Sequence, residues 1–174
     1  MSQAAPGRRV GKVLMLLAWA AALYLATQFF GDWEQRRENP NAVPVSQHGD
    51  GYVEVQLAGN GQGHFVSGGF INGQPVQFML DTGATDVAMP EAVARKLDLA
   101  RGAPVLLTTA NGKTQGYRTE IATLQLGDIR LSNVRALVVP GFDGDQVLLG
   151  MSALKQLEFT QRGGNLLLRQ TTKR

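Results

Sequence analysis

The run Phe78-Met79-Leu80-Asp81-Thr82-Gly83-Ala84-Thr85 sets a carboxylate directly at the end of an apolar segment. A strand that enters a core and ends in Asp81 holds that acid rigidly, which suits general acid–base work on a substrate lying against the strand end. Gly83 permits a tight turn whose backbone N–H groups can approach the carboxylate. Thr82 offers a hydroxyl that can tie one loop to its neighbour, and Ala84 and Thr85 are small enough to let two such loops pack together. The same residue types also suit an Asx-type turn that closes a strand and does no chemistry. A second apolar run ending in glycine, Leu148-Leu149-Gly150, reads on its own as a buried strand end.

Other candidate chemistries have less to work with. Gly112-Lys113-Thr114 matches the end of a phosphate-binding loop, but Leu107 replaces the earlier glycine and no helix follows. Gly59-Asn60-Gly61-Gln62-Gly63 is a flexible turn. The only histidines are His48 and His64, one in a polar stretch and one beside glycines, which leaves a serine triad or a histidine metal site without partners. Asp143-Gly144-Asp145 is turn chemistry that lacks the further ligands calcium requires. There is no cysteine, so disulfides and thiolate zinc sites are excluded. No metal and no cofactor is expected.

The elements that must position Asp81 read as strands and turns. Tyr52 to Leu57 alternates, and Phe65 to Ile71 and Gln74 to Leu80 flank Asn72-Gly73, a two-residue hairpin signal. After the Asp81 turn, Pro90 opens a short helix through Leu99 in which Val93 and Leu97 share a face. Strands follow at Val105–Thr109, Tyr117–Leu126, Ile129–Val139 and Gln146–Leu149, with the turn Ala110-Asn111-Gly112-Lys113 between the first two. Tyr117 is expected as a half-buried strand residue. A helix over Ser152–Leu157 and two last strands around Gly163-Gly164 complete about nine or ten short strands and two short helices, a small, mostly β, closed or nearly closed barrel.

In this order, the motifs resemble the retropepsin-like, single-lobe branch of the aspartic proteases. Met79-Leu80-Asp81-Thr82-Gly83-Ala84-Thr85 resembles the active-site loop, Leu148-Leu149-Gly150 with the helix behind it the family's second mark, and the hairpin between them its substrate-covering flap. The resemblance spans roughly 52 to 170. It implies that Asp81 is catalytic, that Thr82 to Thr85 form the active-site loop, and that Ala110, Asn111, Gly112 and Lys113 contact substrate. The flap has a single glycine at its tip, and Thr85 stands where some relatives carry an acid.

Peptide hydrolysis of this kind needs two carboxylates sharing a proton. The chain holds one Asp-Thr-Gly, and Asp86, Asp128, Asp143 and Asp145 lack that context. The resemblance therefore implies a two-fold homodimer with Asp81 of each protomer on the axis. A non-catalytic dimerisation or peptide-binding module on the same fold is the alternative reading; an anchored barrel that binds a small ligand, with Asp81 a structural turn, is a third.

The N-terminal third supplies a membrane attachment. Val13 to Phe30 runs without a charge, near the lower limit of the ~17–25 residues that span a bilayer. Arg8, Arg9 and Lys12 precede it, which puts the N-terminus in the cytoplasm and the rest outside. A cleaved signal peptide at Ala18-Trp19-Ala20 competes with an anchor. The expected division is residues 1–12 cytoplasmic, 13–30 transmembrane, 31–50 a polar linker with Asn39-Pro40 and Val43-Pro44, and 51–172 the folded domain. In a bacterial source that places the domain in the periplasm on the inner membrane, with envelope proteins or peptides as substrates. The net charge of +3 comes without a basic, aromatic-interleaved stripe, so nucleic acid is not an expected partner.

Overall fold

The computed structural model describes residues 6–109 and 112–172. The chain forms two compact units, Met1–Arg37 and Glu38–Arg174. The first is the helix α1, Pro6–Glu38. It is long and apolar enough to cross a membrane, with an 18-residue stretch of mean hydropathy 1.8. It does not stop at Phe30, because Glu34, Gln35, Arg36 and Arg37 are good helix formers and the Arg37 guanidinium lies 4.8 Å from the Trp33 ring one turn back. Asn39-Pro40 ends it, since the residue before proline avoids helical geometry.

The rest of the expected linker also differs from expectation. β1 (Ser46–Gly49) pairs antiparallel with β2 (Tyr52–Ala58). Asn41 is buried, and its side chain stitches three backbone groups. Nδ2 donates to Ala58 O at 2.9 Å and Val66 O at 2.7 Å, and Oδ1 accepts from Ala58 N at 2.8 Å. A polar segment is docked here by one amide that satisfies otherwise stranded strand ends.

The remaining elements are β3 (Val66–Ile71), β4 (Gln74–Leu80), β5 (Val87–Pro90), α2 (Glu91–Lys96), β6 (Pro104–Thr109), β7 (Gly112–Leu126), β8 (Ile129–Val139), β9 (Gln146–Leu149), α3 (Met151–Leu154), β10 (Glu158–Arg162) and β11 (Asn165–Thr171). One sheet has the order β1-β2-β11-β10. The other runs β3-β4-β9-β5-β8-β7-β6 and closes on itself where β3 meets β7, at Phe70 opposite Gln125 and Ile71 opposite Leu124. The architecture is mostly β, as expected. β5 was not expected, and Pro90 is its last residue and the cap of α2 rather than the first residue of a longer helix. Val93 and Leu97 are both buried, as their shared face requires.

A single apolar cluster joins the two sheets, Val55, Leu57 and Leu168 from one and Ile71, Phe78, Ile121 and Leu149 from the other. The closure depends on Gly69, where a Cβ would sit 2.5 Å from both Gln125 O and the Phe78 ring. The Asn72-Gly73 turn has φ of 49° and 79°, as the hairpin pattern demands. It is also tied to β7, with Asn72 N donating to Thr123 O at 2.9 Å and Thr123 N to Asn72 Oδ1 at 3.0 Å. Tyr117 is more deeply buried than expected.

Asn41→Ala would strand the Ala58 N–H and weaken the satisfaction of two carbonyls. We expect a loss of about 3 kcal/mol of stability, from the usual cost of buried unsatisfied groups, read as a lower midpoint in urea unfolding with unchanged slope.

Candidate active site

β4 and β5 are consecutive strands, yet they do not pair. β9 lies between them, parallel to β4 (Leu80 beside Leu149) and antiparallel to β5 (Ala88 beside Leu148). The loop from Asp81 to Asp86 must therefore pass over the end of β9. The sequence motif and its second mark, Leu148-Leu149-Gly150, are brought together by this crossing.

The crossing is laced by hydrogen bonds. Asp81 N donates to Leu149 O at 3.2 Å, Met151 N to Ala84 O at 2.8 Å, and Ser152 N to Thr85 O at 2.9 Å. Within the loop, Gly83 N donates to the Asp81 Oδ1 at 2.9 Å and Ala84 N to Asp81 O at 3.3 Å. The Asp81 carboxylate is thus oriented by the turn that Gly83 allows, while remaining half-buried. Thr82, Gly83 and Thr85 are exposed and Ala84 is half-buried.

Gly150 is required by the same crossing. A Cβ there would lie 2.2 Å from Asp86 O and 2.8 Å from Ala84 O, both backbone atoms. Ser152, which the sequence marked only as the start of a helix, is buried, accepts from Val87 N at 2.9 Å and donates to Arg135 O at 2.8 Å. It fixes α3 to the start of β5 and to β8. Asp86 lies half-buried with its Oδ1 3.4 Å from the Arg135 guanidinium and without a hydrogen bond. Neither Ser152 nor the Asp86–Arg135 pair had a local signal in the sequence, since their partners are distant strands.

The expected flap is a hairpin of β6 and β7, with Thr109 opposite Gly112 and Thr108 opposite Lys113. Ala110 and Asn111, its tip, lie outside the described residues. Gly112, at φ 108°, and Lys113 begin β7. The base of the hairpin is held by Gly102 N donating to Arg118 O and Arg118 N to Ala103 O, each at 2.9 Å.

This fold and loop define a class, the retropepsin-like aspartic proteases. A crystal structure of a retropepsin-like aspartic protease from Rickettsia conorii superposes with a TM-score of 0.59 at 28% identity, over 74% of this chain and 96% of that one. The family model described as "gag-polyprotein putative aspartyl protease" matches residues 68–156, and the chain belongs to that family. An uncharacterised protein in the cobV 5′ region of a Sinorhizobium species is 32% identical over 125 residues, 70% of this chain and 54% of its own length. The uncharacterised protein RP867 of Rickettsia prowazekii (strain Madrid E) is 31% identical over 118 residues, 66% of this chain and 50% of its own. The chain thus spans about half the length of these curated relatives.

Because two backbone carbonyls crowd the Gly150 Cα, Gly150→Ala must displace the Asp81 loop or α3. A destabilisation of about 3 kcal/mol, at the upper end for overpacking, is the expected result of denaturant unfolding; an unchanged midpoint would mean that the crossing yields freely.

Proposed function

We propose that the protein is an aspartic endopeptidase whose two working carboxylates are Asp81 of one protomer and Asp81 of its partner in a homodimer. The observation that carries this reading is the Asp81 loop itself. One carboxylate is held on a strand end by a turn N–H, and the residues beside it, Thr82, Gly83 and Thr85, are exposed and small. The only other carboxylate in the loop, Asp86, is engaged with Arg135. A second acid must then come from a second copy, and small exposed residues are what close approach of two loops needs.

The chemistry follows from a pair that shares one proton. The ionised carboxylate takes a proton from a water as the water oxygen attacks the scissile carbonyl carbon. The protonated carboxylate donates to the carbonyl oxygen, giving a neutral tetrahedral diol. Return of a proton to the amide nitrogen releases the amine and re-forms the carbonyl of the new acid. Thr82 supports the two loops across the axis, and the β6–β7 hairpin with Lys113 covers an extended peptide.

Anchoring belongs to the same proposal. The length and apolar character of α1 and the basic residues Arg8, Arg9 and Lys12 ahead of its uncharged run support a single-pass anchor in the inner membrane of a bacterium, with the N-terminus in the cytoplasm. The relatives' bacterial sources fit that setting. Proteins or peptides of the envelope are then the accessible substrates.

With the full-length protein in detergent and a diverse peptide mixture, Asp81→Asn is expected to lower cleavage by about 10²–10⁴-fold, the range for loss of general acid–base catalysis. The wild-type rate should fall on both the acid and the alkaline side of its optimum, as the pair gains or loses its shared proton. Equal cleavage by both proteins would sink the reading. Sedimentation should show a dimer that Asp81→Asn preserves and Thr82→Ala weakens without unfolding the domain; a fully active monomer would exclude a dyad built from two chains.

A further inference from the structure

Away from the Asp81 carboxylate, an open cleft of about 350 Å³ is lined by Asp86, Arg101, Arg118, Glu120, Arg135 and Leu137, among others. Only two of its five charged side chains pair with each other. Asp86 faces Arg135 at 3.4 Å, while Glu120, opposite Arg135 in the β7–β8 register, forms no ion pair among the described residues. Arg101 is held over the Tyr117 ring at 4.6 Å, and neither Arg101 nor Arg118 has a carboxylate partner among the described residues. The backbone of Arg118 is fixed by its two hydrogen bonds to the Gly102–Ala103 segment. The cleft thus carries two guanidinium groups without ion-pair partners against one such carboxylate, an excess of positive charge.

Its position relates it to catalysis. Asp86 closes the loop that begins at Asp81, and five residues of chain reach at most about 18 Å. An extended peptide advances about 3.3 Å per residue, so the cleft lies within the span of a residue up to about five positions from the scissile bond. Resting on the protease reading, we propose that this cleft is a specificity site for an aspartate or glutamate side chain of the peptide substrate, with Arg118 and Arg101 as its counter-charges. An arginine fork donates to both oxygens of a carboxylate. A two-fold dimer repeats the cleft on both sides of the scissile bond.

The test measures binding separately from turnover. Full-length Asp81→Ala protein in detergent is titrated into fluorescent peptide pools that differ only in carrying Glu, Gln or Lys at one fixed position, and anisotropy is read. The Glu pool should bind about threefold to fivefold tighter than the Gln pool, the range for a partly exposed charge pair, and the Lys pool more weakly. Arg118→Glu in the same background should invert the order of Glu and Lys, and about 1 M salt should erase it. Circular dichroism checks that the variant is folded. Equal binding of the three pools, or a preference that Arg118→Glu leaves in place, overturns the proposal. Wild-type protein that cleaves no peptide while the Glu preference holds removes the protease reading and leaves the cleft standing. Cleavage without a charge preference in binding does the reverse.

Discussion

The end of β9 has to pass beneath the Asp81 loop at backbone contact distance, and the rest of the site depends on that one approach. Met151 N and Ser152 N reach the carbonyls of Ala84 and Thr85 because Gly150 has no Cβ to hold the loop away. Once those bonds form, Asp81 N is left directed at Leu149 O and the carboxylate at the Gly83 N–H. The loop is therefore held in place by a glycine and a serine that neighbour it only in space, and the Gly83 turn within it orients the acid. Ser152 then carries the constraint outward, since its hydroxyl joins Val87, 65 residues away in sequence, to Arg135 on β8.

Strand β4 meets the same loop from the other direction. Phe78 is fully buried and packs beneath Gly69 at the point where the sheet closes. Leu80 N donates to Phe65 O at 2.9 Å, one residue before the acid. Side chains in a packed interior have little room to shift, so β4 delivers Asp81 at a fixed height above the core. Two independent supports, apolar packing below and backbone hydrogen bonds beside, hold Asp81, and the chemistry proposed for it tolerates little misplacement.

What was legible in the sequence was the part written in local pattern. The Asn72-Gly73 hairpin, the alternation through β7 and β8, and the short apolar run of β9 each follow from a period or a turn dipeptide. The Asp81 loop and Leu148-Leu149-Gly150 were readable together, because their resemblance is carried by residue order. The polar stretch around Asn41 and Ser46–Gly49 was not. It has no apolar period, and its structure comes from an amide that bonds to β2 and β3 and from the free edge of β2. β5 is four residues long, ends in proline, and owes its existence to β8 and β9. The extension of α1 to Glu38 likewise rests on propensity without periodicity. The Asp86–Arg135 contact and the two bonds of Ser152 join single polar residues across distant strands, where a sequence carries no spacing to read.

On the proposed reading each chain carries half of a catalytic pair, and this makes activity a property of density. At low occupancy the concentration of dimers rises with the square of the concentration of chains, so dispersed protomers are silent. The loop residues that meet on the axis are small, and small residues bury little area, so the loops alone supply little of the affinity that a stable interface of about 1,200–2,000 Å² needs. A membrane anchor changes that balance without adding a contact. Confinement to the plane of the membrane raises the effective concentration, and a shared orientation of α1 puts every domain on the same side. A weakly self-associating domain then becomes an enzyme where its anchors gather, and stays inactive where they are sparse.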